Sequence, residues 1–173
     1  AAERERLCRT DILIIGGGAI DAGLEAEIRQ LPGKVYSTYG MTETLSHIAL
    51  RRLNGPDAST LYYPFPSVRL SLSPEHTLII DAPLVCDTIL VTNDVAEINS
   101  DGSFSILGRK DNTINTGGIK VQAEQVEDIL RPWIHVPFAI TSVSDAALGE
   151  AIVLLIENGG YTERLEEKMK ELL

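Results

Sequence analysis

Apolar positions along this chain change their period twice. Residues 11–15, "DILII", form a continuous apolar run that stops at Gly16-Gly17-Gly18. Such a run reads as a short strand covered on both faces. In residues 21–31, "DAGLEAEIRQL", Leu24, Ile28 and Leu31 recur at helical spacing, and Pro32-Gly33 ends the element. A second strand is expected over 34–38. It turns through Tyr39-Gly40 into a short helix from about Thr42, with Leu45, Ile48 and Ala49 on its inner face. Strand, glycine turn, helix, strand, turn, helix is an α/β layered order.

After Asn54-Gly55-Pro56 the period falls to two. In "SVRLSLS" (67–73) Val68, Leu70 and Leu72 share one face. "HTLIIDA" and "DTILVTND" follow, then "VAEINSDGSFSILG", a hairpin with Asp101-Gly102 at its turn. A third texture begins near Lys110-Asp111. "TINTGGIKV" predicts a hairpin bent at Gly117-Gly118, and 122–130 a helix with Val126, Ile129 and Leu130 inward, stopped by Pro132. "PFAITSVSD" and "EAIVLLIEN" are two strands, and "TERLEEKMKELL" is a helix with Leu165, Met169 and Leu172 inward. The expected fold class is α/β and α+β. The end of an α/β layered domain (1–55) leads into a small β-barrel-like subdomain (56–110), and a compact α+β lobe (111–173) follows. The boundary is expected at 109–112.

Composition narrows the function classes. With 173 residues, 44% of them apolar, the chain can bury a core. No apolar run approaches the roughly 20 residues that span a bilayer, and no signal peptide opens the chain, so membrane insertion is not expected. Cys8 and Cys86 stand far apart without metal-ligand spacing, which excludes a disulfide framework and suits a reducing, cytoplasmic setting. A formal charge of −10 argues against a nucleic-acid partner. A phosphate-bearing ligand would need backbone amides, a few cations or a metal to meet its charge.

Several residues carry two readings at this level. Gly16-Gly17-Gly18 between strand and helix is either a tight turn or a place where backbone approaches an anionic ligand. Thr42 is a cap or a phosphate contact, and Glu43 a helix-dipole partner or a Mg²⁺ ligand. Tyr39 is core packing or a stacking face. Asp94, expected at the end of a strand, is a turn former or a contact to ribose hydroxyls. Arg109, Lys110 and Asp111 are a charged linker or a hinge. His47 is a packed histidine or a ligand-binding one, and no metal cluster is visible.

The order of the motifs goes further. "YGMTET" (39–44), "TNDVAEI" (92–98) and "GRKDNTINTGGIKVQAEQVE" (108–127) occur in sequence, and "LGEAIVLLIE" (148–157) follows. Together they resemble the later core motifs and small C-terminal domain of the adenylate-forming superfamily of acyl- and aryl-CoA ligases, adenylation domains and luciferases. The resemblance covers nearly the whole chain and implies a ligase that uses ATP and Mg²⁺ to activate a small carboxylic acid and passes it to coenzyme A. It implies that Gly17, Gly18 and Ala19 lie along adenine, with Tyr39 on its other face. Gly40, Met41 and Thr42 join the nucleotide site, Thr42 at the α-phosphate, and Glu43 holds Mg²⁺. Asp94 and Arg109 hold the ribose, and Asp111 is the hinge of a mobile domain. Gly118 and Lys120 face the thiol tunnel, and Ser46 and His47 border the acyl pocket.

This chain has Thr92-Asn93-Asp94 where the family usually has Thr-Gly-Asp. The family's phosphate loop is expected before residue 1 and its catalytic Lys beyond residue 173, so the fragment alone is expected to be catalytically incomplete. "TETLSHIAL" is similar to the Thr-Glu-Thr-Ala-Ser-Gln-Ile pattern of the superfamily's o-succinylbenzoate–CoA ligases of menaquinone synthesis. Another acyl- or aryl-CoA ligase, a carrier-protein adenylation domain and a non-catalytic nucleotide-binding module remain as alternatives, and homo-oligomerisation stays open.

Overall fold

A computed structural model describes residues 2–18, 20, 22–157, 167 and 169. Its chain contacts divide it into two compact units, one of residues 1–92 and 96–105, the other of 93–95 and 106–173.

In the first unit a helix absent from the sequence reading, α1 (Ala2–Leu7), precedes β1 (Ile12–Ile15). Helix α2 (Ala22–Ile28) then crosses over to β2 (Lys34–Gly40), which lies parallel to β1 with Ile12 opposite Lys34 and Ile15 opposite Ser37. Ile28, Val35 and Leu53 form the buried centre, with Leu13, Ile15, Ile20 and Leu31 packed around it. The strand is not covered on both faces as expected: Ile12 and Ile14 are 58% and 51% exposed. Only the face carrying Leu13 and Ile15 meets the core, so a period of two was hidden inside an all-apolar run. Leu24 is also exposed rather than inward, because α2 buries only its last turn, at Ile28.

The helix expected from Thr42 is not formed. Thr42–Thr44 make a single 3₁₀ turn, and the chain continues as β3 (His47–Arg52), antiparallel to β2. Leu45, expected on an inner face, is 80% exposed. Ile48 and Ala49 are both buried although they point to opposite faces of the strand. Covering both faces removed the alternation that marks a strand and left a spacing that mimics a helix. Strand β4 (Tyr63–Pro64) completes a sheet of order β1-β2-β3-β4.

Strands β5 (Arg69–Leu72), β6 (Thr77–Asp81), β7 (Leu90–Ile98) and β8 (Phe104–Arg109) form a second sheet in the order of the chain. Leu70 and Leu72 face inward relative to Arg69 and Ser71, as the alternation predicts. The barrel-like closure expected here does not occur. The sheet is open, since four strands fall well short of the roughly eight that close a filled barrel. Asp94 stands in the middle of β7, not at a strand end. The two runs read as separate strands are one, because Asn93 and Asp94 are polar without breaking the backbone.

The second unit holds β9 (Thr113–Thr116), β10 (Ile119–Gln122), α3 (Ala123–Leu130), β11 (Phe138–Asp145) and β12 (Gly149–Ile156). Its sheet runs β10-β9-β12-β11 with antiparallel neighbours. The hairpin at Gly117-Gly118, the helix and the two long strands all match the sequence pattern. Val126 and Leu130 are buried with Ala123, Ile114, Ile134 and Ile140, but Ile129 is 43% exposed. Ala123 lies on the Leu130 side of Val126, which turns the apolar stripe away from Ile129. The expected C-terminal helix lies outside the described residues except for Glu167 and Met169, and Met169 packs against this core.

Candidate functional site

A cleft of about 370 Å³ opens in the first unit where the parallel strands β1 and β2 end. Ligands commonly occupy the crevice beyond the carboxyl ends of parallel strands, because the following loops leave backbone groups exposed there. Gly16, Gly17, Thr38, Thr42, Ser46 and His47 are among the residues that line it.

Local sequence explains this shape. A Cβ on Gly16 would lie 2.5 Å from the Thr38 hydroxyl, so glycine lets β1 and β2 run side by side to their ends. Gly17 has φ +95, a conformation that favours glycine, and a side chain there would meet only open space. At Gly40 a Cβ would fall on the Ser46 carbonyl oxygen. The pairing of β2 with β3 slips between Tyr39 and Gly40, which lets the 41–46 turn fold back over the sheet.

That turn is held by Thr44, a fully buried residue between the two candidates singled out from sequence and the pocket side chains. Its hydroxyl oxygen accepts the Met41 N–H at 3.1 Å and lies 3.0 and 2.9 Å from the Met41 and Ser46 carbonyl oxygens. Leu45, next in the chain, has φ +59 while lining the cleft, an uncommon conformation for a non-glycine residue. Ser46 Oγ and His47 Nδ1 are 2.8 Å apart, and the Phe65 ring meets the imidazole edge-on at 5.8 Å.

The structure thus brings Gly17, Gly40, Met41, Thr42, Ser46 and His47 to one cleft. Gly18 is exposed beside Gly17, and Ala19 lies outside the described residues. Glu43 is exposed next to Thr42 but does not line the cleft, and no partner holds its carboxylate among the described residues. Tyr39 points to the other face of β2. Its ring lies 5.4 Å from that of Phe104 and 6.0 Å from that of Tyr62.

The remaining candidates are in the second unit. Arg109 joins Asp94 and Asp111, with Nη1 3.5 Å from Asp94 Oδ1 and Nη2 3.2 Å from Asp111 Oδ2. Asn93, the departure from the family pattern, donates its amide to Asp111 Oδ2 at 3.3 Å. Asp94 is mostly shielded while Arg109 and Asp111 are more than half exposed, so the guanidinium remains open to a ligand. Gly118 and Lys120 are exposed on the β9–β10 hairpin, where Gly117 and Gly118 both take positive φ.

Three glutamates of this unit serve its frame. Glu127 accepts the Ile140 N–H at 2.8 Å, and Glu124 accepts the Asn112 amide at 2.6 Å. Glu150 accepts the Asn115 N–H and the Ser142 hydroxyl, each at 2.7 Å, and these bonds hold its carboxyl below the ordinary range. Sequence reading did not separate them from the surface acids, since each earns its place through a partner distant in sequence.

No family model matches the chain. The chain is 25% identical over 179 residues to the 2-succinylbenzoate–CoA ligase of Lactococcus lactis, a match that covers 94% of this chain and 40% of the relative. It is 34% identical to the structure of an acyl-CoA synthetase (AMP-forming)/AMP-acid ligase II-like protein from Dyadobacter fermentans, with a TM-score of 0.58 over 94% of this chain and 48% of that one. The o-succinylbenzoate CoA synthetase of Bacillus subtilis, in complex with its acyl-adenylate intermediate, shares the fold at a TM-score of 0.77 and 20% identity, over 99% of this chain and 42% of that one. The chain therefore spans about two fifths of the length of the first curated relative.

Proposed function

We propose that this chain, whose sequence and fold are similar to those of o-succinylbenzoate–CoA ligases of the adenylate-forming superfamily, is part of an ATP-dependent acid–CoA ligase. The observation that carries the reading is the cleft at the ends of β1 and β2, which gathers the glycine turn with Thr42, Ser46 and His47 from two stretches of sequence. In this reading a carboxylate attacks the α-phosphorus of ATP, giving an acyl-adenylate and pyrophosphate, and the thiol of coenzyme A then displaces AMP. Gly17, Gly18 and Ala19 offer backbone to the nucleotide, Gly40 and Met41 shape its site, and the Thr42 hydroxyl donates to the α-phosphate. Asp94 and Arg109 bind ribose, Asp111 is the hinge, and Gly118 and Lys120 line the thiol's path. The domain boundary lies near 110–111, and the acid is o-succinylbenzoate.

Mg²⁺ fits the residues present. Among the described residues no group of three His, Cys, Asp or Glu side chains could hold a metal alone. One unpaired, exposed carboxylate beside the cleft is what a hard cation needs when phosphate oxygens supply its other ligands. Glu43 would hold the ion, which would offset charge developing on the phosphate. Among the described residues no helix is long and apolar enough to cross a membrane, and we read the enzyme as cytoplasmic.

The test uses the full-length protein that carries this chain. Glu43→Gln should lower ATP–pyrophosphate exchange on the order of 100-fold, the scale of losing a preorganised charge-stabilising group. Unchanged exchange at saturating Mg²⁺ would remove Glu43 from the metal role. A panel of carboxylic acids in a pyrophosphate-release assay decides between o-succinylbenzoate and other acids.

A further inference from the structure

We infer that Glu124 and Asn93 clasp the turn Lys110–Asn112 from two sides, and that this clasp must open before the chain can pivot at Asp111. The inference rests on the ligase reading above, which puts the hinge at that residue.

Residues Lys110–Asn112 make a single 3₁₀ turn between β8 and β9. Its backbone closes where the Thr113 N–H donates to the Lys110 carbonyl, and Arg109 at its start makes no side-chain cap bond. Side chains from other elements hold the rest. Glu124, in the first turn of α3, bonds to both sides of Asp111 with one oxygen. Its Oε1 accepts the Asn112 amide at 2.6 Å and the Arg109 N–H at 3.3 Å. A change in φ or ψ at Asp111 moves residue 109 against residue 112, so a single carboxylate oxygen cannot follow both. Asn93, on β7, donates to Asp111 Oδ2 at 3.3 Å, the oxygen that also accepts Arg109 Nη2 at 3.2 Å. A glycine in its place could make no such bond.

The strengths suit a fastening that opens. The Asn112 bond is short and charge-assisted, which makes Glu124 the stronger clasp. Asn93 and Asp111 are exposed and their bond is long, so water competes for it. The other Glu124 oxygen, Oε2, is buried with no donor among the described residues. It lies 2.5 Å from where a Cβ on Gly108 would sit, so glycine at 108 lets the carboxylate reach the turn. A carboxylate with one oxygen bonded and the other buried unmet holds less tightly than one fully served.

The test uses the full-length protein. Trypsin cuts after Arg109 and Lys110, both exposed, so nicking there reports how often the turn opens. Glu124→Ala should speed nicking about 10-fold and Asn93→Gly about 3-fold, while the melting temperature changes little. Glu124→Gln keeps an acceptor without the charge and should fall between wild type and Glu124→Ala. The two half-reactions supply a second readout: ATP–pyrophosphate exchange, and release of AMP from a preformed acyl-adenylate by coenzyme A. Glu124→Ala should move the ratio of their rates about 10-fold, and the sign tells which half-reaction the clasped arrangement serves. Nicking at the wild-type rate in both Glu124→Ala and Asn93→Gly would overturn the clasp. Faster nicking with both half-reactions lowered equally would overturn its part in the pivot, since Glu124 would then only brace the fold. If no acid gives pyrophosphate release, the ligase reading falls, while the nicking rates still decide the clasp.

Discussion

Thr44 decides the local shape of the candidate site. Its neighbours Thr42 and Glu43 carry the chemistry suggested by the motif, yet both are exposed, while Thr44 is buried and spans the turn from Met41 to Ser46. A buried hydroxyl of this kind is costly to lose, because the groups it served have no water to turn to. Thr44→Val keeps the shape and removes the hydroxyl. It should cost about 1–3 kcal/mol, read as a lower urea midpoint at unchanged slope, whereas Thr44→Ser should stay close to wild type. An unchanged midpoint for the valine variant would mean that the turn is held by Gly40 and the sheet alone.

Among elements, legibility followed the number of independent cues. The β9–β10 hairpin was readable from Gly117-Gly118 between two short runs, and β11 and β12 from their length and β-branched content. Strand β3 was not, since Ile48 and Ala49 are buried on opposite faces and leave no alternation to mark it. Gly17, Thr42, Ser46 and His47 were legible as candidates, but Thr44 and Asn54 were not. Their roles are sums of hydrogen bonds to distant backbone, and neither residue type nor spacing records such sums.

Asn54 read as part of a turn that merely separates two textures. It is instead the knot between α2, β2 and β3. Its amide donates to the Leu31 and Gly33 carbonyls at 2.9 and 2.8 Å, and its oxygen accepts the Val35 N–H at 3.0 Å and Arg52 Nε at 3.1 Å. Asn54 is 3% exposed, so Asn54→Ala leaves several buried groups unmet at once. A loss of about 2–4 kcal/mol is expected, with faster amide exchange at Val35 preceding global unfolding. Exchange at Val35 that tracks global unfolding in both proteins would show that the knot is not a local weak point.

At the scale of the whole molecule, the formal charge of −10 draws attention to acids, and hydrogen bonds within the fold make three of them more acidic than usual. Asp101 is held low by the Ser103 hydroxyl at 2.6 Å and the Ser103 N–H at 3.0 Å. Asp145 is held low by the Leu148 and Ala147 N–H groups, both at 2.8 Å, and Glu150 by the Asn115 N–H and then the Ser142 hydroxyl. A carboxyl that is more acidic folded than unfolded stabilises the fold above its unfolded value, and the benefit drains away as pH falls through the folded one. Stability should therefore decline as pH drops from about 5 through the ordinary carboxylate range near 4 and below it. Glu150 isolates the effect for the second unit. Glu150→Gln should melt below wild type at pH 7, and the gap should close as pH falls and the wild-type carboxyl takes up its proton. A gap in melting temperature that stays constant from pH 7 down to about 3 would show that Glu150 acts through shape and neutral hydrogen bonding, with its charge contributing nothing.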